Sequence, residues 1–371
     1  MIDRQPYGSD TMSTHALMRT GVLQLDRWGV LPAVMAAGTP EIRATTFHYG
    51  CDSLSLSIKP EHGIEHLCAP RRTVLDCILV EAARAAGADV RHGLAVSQLQ
   101  FDNKGQVIGA LVKEPDGHST PVRSKLVIGA DGRQSTVAAL VNAGTYLTGQ
   151  SASGYVYGYY EDLERRGYHW HFGENVAAGV IPTNHGQHCV FAAVAGTAFR
   201  GTFHGNIEGA FLTVLEANSP QLSGDVSRAR LVGRLRGFAG VPGHFRQSYG
   251  PGWALVGDAG YFKDPLTAHG ISDALRDAEL LARAMLDGSP CALEAYQHRR
   301  DALSQSLFQV TEAIASFRWS LDEIKNLHTS LSASMKTECE YMAGLAAPLR
   351  REPQTRSGPS VRNAALAFDA C

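Results

Sequence analysis

Two short stretches put an acid where an apolar strand runs out into glycine. In Leu126-Val-Ile-Gly-Ala-Asp-Gly-Arg-Gln-Ser-Thr136 the strand leads straight into Gly129-Ala-Asp131-Gly132. Small residues there let the backbone approach a ligand closely, and Asp131 can accept from hydroxyls or orient the loop. Ser135 and Thr136 have the chemistry to cap a following helix. In Gly252-Trp-Ala-Leu-Val-Gly257-Asp258-Ala259 a strand again ends on a Gly-Asp pair. A carboxylate repels pyrophosphate but accepts from polyol hydroxyls, which is the chemistry Asp258 suits. Pro265 to Gly270 then lead into a helix at Ile271, whose free N–H groups and positive dipole end suit an electron-rich ring edge. Each stretch also reads as an ordinary turn with a capping acid, and that alternative stays open here.

The opening Met1-Ile-Asp3-Arg4 is a third candidate. An apolar strand end followed at once by an acid is what holds ribose hydroxyls at the second strand of a dinucleotide fold. Any Asp near a terminus looks the same. Residues 169 and 171 are histidines on one strand face, the spacing of a metal-ligand pair, but no Asp, Glu or Cys stands at supporting spacing. Partly exposed strand histidines are the preferred reading, so no metal is expected. Tyr155, Tyr157 and Tyr159 share another strand face and suit either a substrate wall or ordinary half-buried packing. Trp253 reads as packing.

The elements that must carry these residues follow from pattern. Thr73-Val-Leu-Asp76 reads as a capping box before a helix with Val74, Leu75, Ile78, Leu79, Ala82 and Ala86 on one face and Gly87 as its stop. Three strand-like runs follow at 94–101, 106–114 and 119–128, separated by DNKG and PDGH turns, and predict a small antiparallel meander. Residues 151–250 are rich in alternating β-formers and predict an open antiparallel sheet, which 41–69 can join. After 253–258 a helix carries Ile271, Ala274, Leu275, Ala278, Leu281 and Met285 on one face and stops at Gly288. Residues 293–346 read as helical, and the Pro/Ser/Arg-rich 349–371 as a disordered tail.

Composition bounds the rest. The 371 residues suffice for two domains, and the net charge of -2 leaves no basic field for nucleic acid. No apolar run approaches the roughly 18 residues a membrane span needs, and no signal peptide is visible. The seven scattered cysteines, with no C-x-x-C pair, suit packed thiols in a reducing cytoplasm.

Taken in order, the motifs resemble the FAD-dependent monooxygenases of the p-hydroxybenzoate hydroxylase type, with the geranylgeranyl-reductase-like flavoproteins close by. Gly129-Ala-Asp131-Gly132 with Ser135 resembles that family's DG motif. Gly257-Asp258-Ala259, with Asp264-Pro265 and His269-Gly270-Ile271, resembles its GD motif. Arg19-Thr-Gly-Val-Leu23 resembles the segment on the helix after the second strand, and Pro70-Arg-Arg72 the arginine-bearing helix start. The resemblance runs over residues 1 to about 290. The family's opening G-x-G-x-x-G turn is missing, so if Asp3 is the ribose acid the resemblance implies a further βαβ unit of about 30 residues ahead of Met1.

What the resemblance implies is an α/β fold. A glutathione-reductase-like, Rossmann-type parallel sheet with its meander (1–40, 70–150 and 251–290) would bind FAD. An antiparallel-sheet substrate domain (41–69 and 151–250) and C-terminal helices (291–348) would complete it. Asp3 would hold the adenosine ribose with Arg4 near the adenine, and Val96 would touch the adenine through its backbone. Arg19 and Arg72 would lie near the pyrophosphate and ribityl chain. Asp131 and Gly132 would shape the pyrophosphate and nicotinamide side, and Gly257 with Asp258 would bind the ribityl chain. Pro265, Gly270 and Ile271 would face the flavin ring. The implied activity is hydride reduction of FAD by NADPH or NADH, then hydroxylation of a small organic substrate through a flavin hydroperoxide. No acid–base pair or nucleophile stands out, as expected where the cofactor does the hard step. Two alternatives remain: a flavin-dependent reductase of an isoprenoid double bond, and a non-catalytic fragment.

Overall fold

Aromatic and β-branched residues alternating from 153 to 195 build the largest element of the molecule, a seven-stranded sheet. Its order is Arg230–Phe238, Ser153–Glu161, His188–Ala195, Val176–Pro182, Tyr168–Gly173, Ala44–Tyr49 and Asp52–Ser57. Every neighbouring pair is antiparallel except Tyr168–Gly173 with Ala44–Tyr49, which run parallel. The structure is a computed structural model that describes residues 1–164 and 166–348. The disordered tail expected at 349–371 lies outside the described residues.

The sheet separates two cores. On one face Tyr155, Tyr157, Tyr159, Trp170 and Phe172 pack into the main core with Val22 and Leu25 of helix Arg19–Arg27. On the other, Val156, Tyr160, Val180 and Val190 pack against Phe211, Leu215 and Leu222. Those three residues sit on helices Ile207–Asn218 and Pro220–Arg228, inside a stretch that reads as sheet throughout. Ile207, Phe211, Val214 and Leu215 recur at helical spacing, and burying that stripe outweighs β-propensity.

The smaller sheets position the glycine-acid turns. Val127–Gly129 pairs in parallel with Trp253–Leu255, and Ile2–Asp3 in parallel with Arg91–His92. Ala95–Phe101, Val107–Lys113 and Ser119–Arg123 form the meander. The run expected as one strand over 119–128 is therefore two. Ser124 Oγ donates to Leu126 O at 2.5 Å, closing a turn that frees Val127–Gly129 to leave the meander. Trp253 is buried packing with Val137 and Leu255.

Two helical expectations change. Helix Arg72–Ala85 has no side-chain cap, because it starts on Arg71 as N-cap and places Thr73 inside its first turn, while Asp76 pairs with Arg72 at 2.7 and 2.9 Å. A capping box forms instead between Ser320 and Glu323, opening Leu321–Ala343. Helix Gly270–Asp287 stops at left-handed Gly288, but Met285 is exposed while Asp273, Arg276 and Asp277 are buried. Its inner face is charged because helix Leu321–Ala343 supplies Glu338 to meet it. Cys51 and Cys291 are exposed thiols, not packed ones. Among the described residues no helix is long and apolar enough to cross a membrane.

Candidate functional site

The parallel ladder between Val127–Gly129 and Trp253–Leu255 brings the two glycine-acid turns to one edge. Gly129 is the register partner of Leu255, and Val256 N–H donates to Gly129 O at 3.0 Å. Neighbouring strands lie about 4.8 Å apart, so the chain leaves for Asp131 and for Asp258 from adjacent strand ends.

The two carboxylates do different things there. Asp131 accepts from Ser135 Oγ at 2.5 Å, from Thr136 N–H at 2.7 Å and from Val137 N–H at 3.1 Å. Ser135 in turn caps helix Thr136–Leu140 through Ala138 N–H. Both Asp131 oxygens are thus spent on the turn, leaving Gly132 at φ +78° facing open space. The Asp258 carboxylate has no hydrogen-bond or ion-pair partner among the described residues. Burial pushes its pKa up to about 6, against the pull of Lys263, Arg72 and Arg133 nearby. A partly buried acceptor with cations around it is ready for a hydroxyl donor.

A buried charge network holds the Asp258 turn. Gly257 N–H donates to Asp277 Oδ2 at 3.2 Å, and Arg276 grips Asp277 Oδ1 at 2.8 and 3.0 Å. Arg276 also reaches Asp273 at 3.0 Å and Glu338 at 2.6 Å, while Lys263 pairs with Asp273 and His269 with Glu338. Burial opposes the Glu338 charge, but His269 and Arg276 hold its carboxyl well below the usual range. Asp264 ties the turn to the large sheet by accepting from Ser153 N–H and Oγ, both at 2.6 Å, and from Leu266 N–H at 2.9 Å. Left-handed Ala268 then swings the chain from Pro265–Thr267 into Gly270–Asp287. Gly270 opens that 18-residue helix with nothing within 4 Å of where its Cβ would stand.

Beside Leu266 and Thr267 lies a cavity of about 1020 Å³. Phe47, Tyr168, Trp170 and Phe172 form its sheet wall, and helix Leu321–Ala343 covers it with Leu331 and Met335. Among the polar groups that line it is Tyr49 Oη, 2.8 Å from His328 Nδ1. Burial pushes the Tyr49 pKa up to about 12 and His328 down to about 4, so both are uncharged at neutral pH.

The remaining sequence candidates spread out. Arg19 lines the cavity and spends its guanidinium on Ile64 O at 2.9 Å, Lys59 O at 2.7 Å and the Glu61 carboxylate at 3.6 Å. Arg72 is bound to Asp76 but within electrostatic reach of Asp258. Val96 is half-buried beside Val137 and Leu255. Asp3 is exposed, its Oδ1 accepting from Gln5 N–H at 2.8 Å, and Arg4 is exposed beside it. Pro265 starts its turn and Ile271 packs on the main core. Tyr155, Tyr157 and Tyr159 are core residues, and Arg71 sits 3.5 Å over the Tyr159 ring. The cavity wall comes instead from Tyr168-His-Trp170-His-Phe172, with Phe47 and Tyr49 from a strand more than a hundred residues earlier. Tyr49, His328 and Glu338 were not singled out in the sequence, since each acquires its role only across the fold. His48 also joins His169 and His171, giving the histidine pair a third member.

Residues 1–190 match the family described as "FAD binding domain". Over 220 residues the chain is 31% identical to digeranylgeranylglycerophospholipid reductase 1 of Methanococcoides burtonii, covering 57% of this chain and 50% of that protein. The chain spans only about half the length of the curated relatives it matches. Its fold is shared with a triple mutant of the flavin-dependent brominase Bmp2, with a TM-score of 0.75 at 18% identity, over 92% of this chain and 87% of that one. It is shared too with PqsL, a probable FAD-dependent monooxygenase from Pseudomonas aeruginosa, with a TM-score of 0.71 at 15% identity, over 90% of this chain and 92% of that one.

Proposed function

From the premise that this chain belongs to the FAD binding domain family, we infer that it serves an FAD-dependent monooxygenase acting on a small, largely apolar organic substrate, with NADPH or NADH as reductant. The observation that carries this reading is the cavity. An apolar volume of about 1020 Å³ opens directly on the Leu266-Thr267 turn that precedes Gly270. In this reading 1–40, 70–150 and 251–290 hold the cofactor, and 41–69 with 151–250 shape the substrate side.

The residues present fit FAD. Asp258 is a partly buried acceptor without a partner, Gly132 and Gly270 leave open space, and a long helix begins at Gly270 with its first N–H groups available. Asp258 would take a ribityl hydroxyl, Arg72 and Arg133 would add positive charge near it, and Gly270 with Ile271 would lie under the ring. Bound FAD supplies hydride acceptance from NAD(P)H and oxygen activation. The chain's part is positioning and exclusion. Asp131 fixes its turn, the Arg276 network fixes Gly257, and Asp264 fixes Pro265 against the sheet that walls the cavity. Phe47, Trp170, Phe172 and Leu266 keep water from the substrate. The neutral Tyr49–His328 pair offers a hydrogen bond to one polar group on an otherwise apolar substrate.

Similarity to a digeranylgeranylglycerophospholipid reductase favours a second reading, reduction of an isoprenoid double bond in the same apolar cavity. One experiment separates them. FAD-loaded protein is given NAD(P)H and a panel of aromatic and isoprenoid compounds, with and without air. Oxygen consumption coupled to a hydroxylated product supports the monooxygenase. Anaerobic alkene reduction supports the reductase. A protein that stays colourless after FAD addition contradicts both and leaves the non-catalytic reading.

A further inference from the structure

The face of the large sheet turned away from the cavity carries a cluster that the flavin chemistry does not use. Tyr168, Trp170 and Phe172 line the cavity, so strand alternation turns His169 and His171 to the opposite face. Phe47 and Tyr49 line it as well, which turns His48 the same way. The parallel register sets His48 directly beside His171, with Thr46 beside His169. One ring nitrogen from each of the three lies within 4.8 Å of the others. His48 Nε2 is 3.1 Å from His169 Nδ1, and the His48 and His171 rings stack with centroids 4.0 Å apart.

The geometry points to a divalent transition-metal site formed by His48, His169 and His171 on the face of the seven-stranded sheet away from the cavity. Nitrogens of a tetrahedral zinc ion with bonds of about 2.0–2.1 Å stand about 3.3 Å apart. The His48–His169 pair is already near that spacing, and a His171 ring nitrogen lies within 4.8 Å of both. A second, independent feature orients one ligand. The other nitrogen of His169, Nε2, lies 3.0 Å from the Arg166 carbonyl oxygen. A carbonyl only accepts, so in the neutral ring the proton sits on Nε2 and the Nδ1 lone pair faces His48. A backbone carbonyl setting the tautomer of a ligating histidine is the usual outer support of a metal-bound imidazole. Two strands locked in register supply all three ligands, so little ordering is left for the ion to impose. An all-imidazole set without a carboxylate selects zinc, cobalt, nickel or copper over magnesium or calcium. His48 and His169 are half-exposed, which gives an ion access and leaves coordination positions for water or another ligand.

The other cluster with ligand-like spacing, His269, Asp273 and Glu338, has a different character. Lys263 and Arg276 already neutralise its carboxylates, so cations of the chain fill the role an ion would take.

The test is calorimetric titration of the purified full chain with zinc chloride, thiols blocked by iodoacetamide, repeated with cobalt chloride and read by visible absorption. The expected result is one equivalent bound at micromolar or lower dissociation constant, with and without FAD. His169→Gln and His171→Ala each weaken it at least tenfold, and His118→Ala, in an exposed turn, leaves it unchanged. His48→Gln, a polar replacement at a half-exposed position, loses affinity to the same degree with an unaltered thermal melt. Absence of saturable binding at one equivalent overturns the proposal. So does binding that persists in the His48→Gln, His169→Gln double variant, because the ion would then be held elsewhere on the chain.

Discussion

Asp131 and Asp258 stand at the ends of neighbouring parallel strands, each flanked by glycine, and their carboxylates are treated in opposite ways. Asp131 gives both oxygens to its own turn, three donors in all, and remains on the surface. Asp258 sits in a turn held from outside, by Asp277 on the Gly257 N–H, so its oxygens stay uncommitted while burial raises its pKa to about 6. Asp264, a few residues on, behaves like Asp131, with Ser153 and Leu266 as donors. Two of the three acids build the frame and one is kept for a ligand. The difference lies in who satisfies the turn: where the acid does it, nothing is left to bind with, and where another helix does it, the acid is available.

Substitutions can break that contrast. Asp258→Asn is expected to weaken FAD binding tenfold or more in a fluorescence titration, since hydrogen bonds to a charged group contribute about 1.5–3 kcal/mol. The melting temperature of the flavin-free protein should hold or rise, because a partly buried, unpaired charge disappears. Next in size is the pH effect. The ionised carboxylate is the acceptor, so affinity is full above the value of about 6 and falls as protons are added. Between pH 7 and 5 the FAD dissociation constant should rise about tenfold, and Asp258→Asn should flatten that slope.

Asp131→Ala should do the reverse of Asp258→Asn. Loss of a helix-capping acid costs about 1–2 kcal/mol of stability, visible in denaturant melts, with FAD affinity changed less than threefold. The smallest effect is expected from Gly270→Ala. Nothing stands within 4 Å of the new methyl and the site is helical, so the flavin-free protein should be as stable or slightly more so. FAD affinity should fall a few-fold, because the methyl occupies the space kept for the ring.

The same contrast shows what a sequence can disclose. The strand–glycine–acid turns and the helix at Gly270 are local, complete within about fifteen residues, and they are legible as written. That Asp131 is consumed by Ser135 and Thr136 is also local, and the capping alternative already contained it. The freedom of Asp258 is not, since it depends on Asp277 in the following helix and on Glu338 in a helix some sixty residues further on. His48 meets His169 and His171 only because two segments more than a hundred residues apart pair in parallel. The cavity likewise joins Phe47 and Tyr49 to Trp170 and His328, and periodicity within any one segment carries no trace of that meeting. The Thr73–Asp76 capping box failed because the helix starts earlier, on Arg71, which leaves Thr73 within the first turn and Asp76 to pair with Arg72.

The most direct check is a stoichiometric FAD titration of the wild-type chain beside Asp258→Asn and Asp131→Asn, followed by quenching of flavin fluorescence. One equivalent should bind and colour the wild-type protein yellow, with affinity collapsing in the first variant and surviving in the second. Equal losses in both variants, or no saturable binding in the wild type, would mean that the uncommitted carboxylate is not what holds the cofactor.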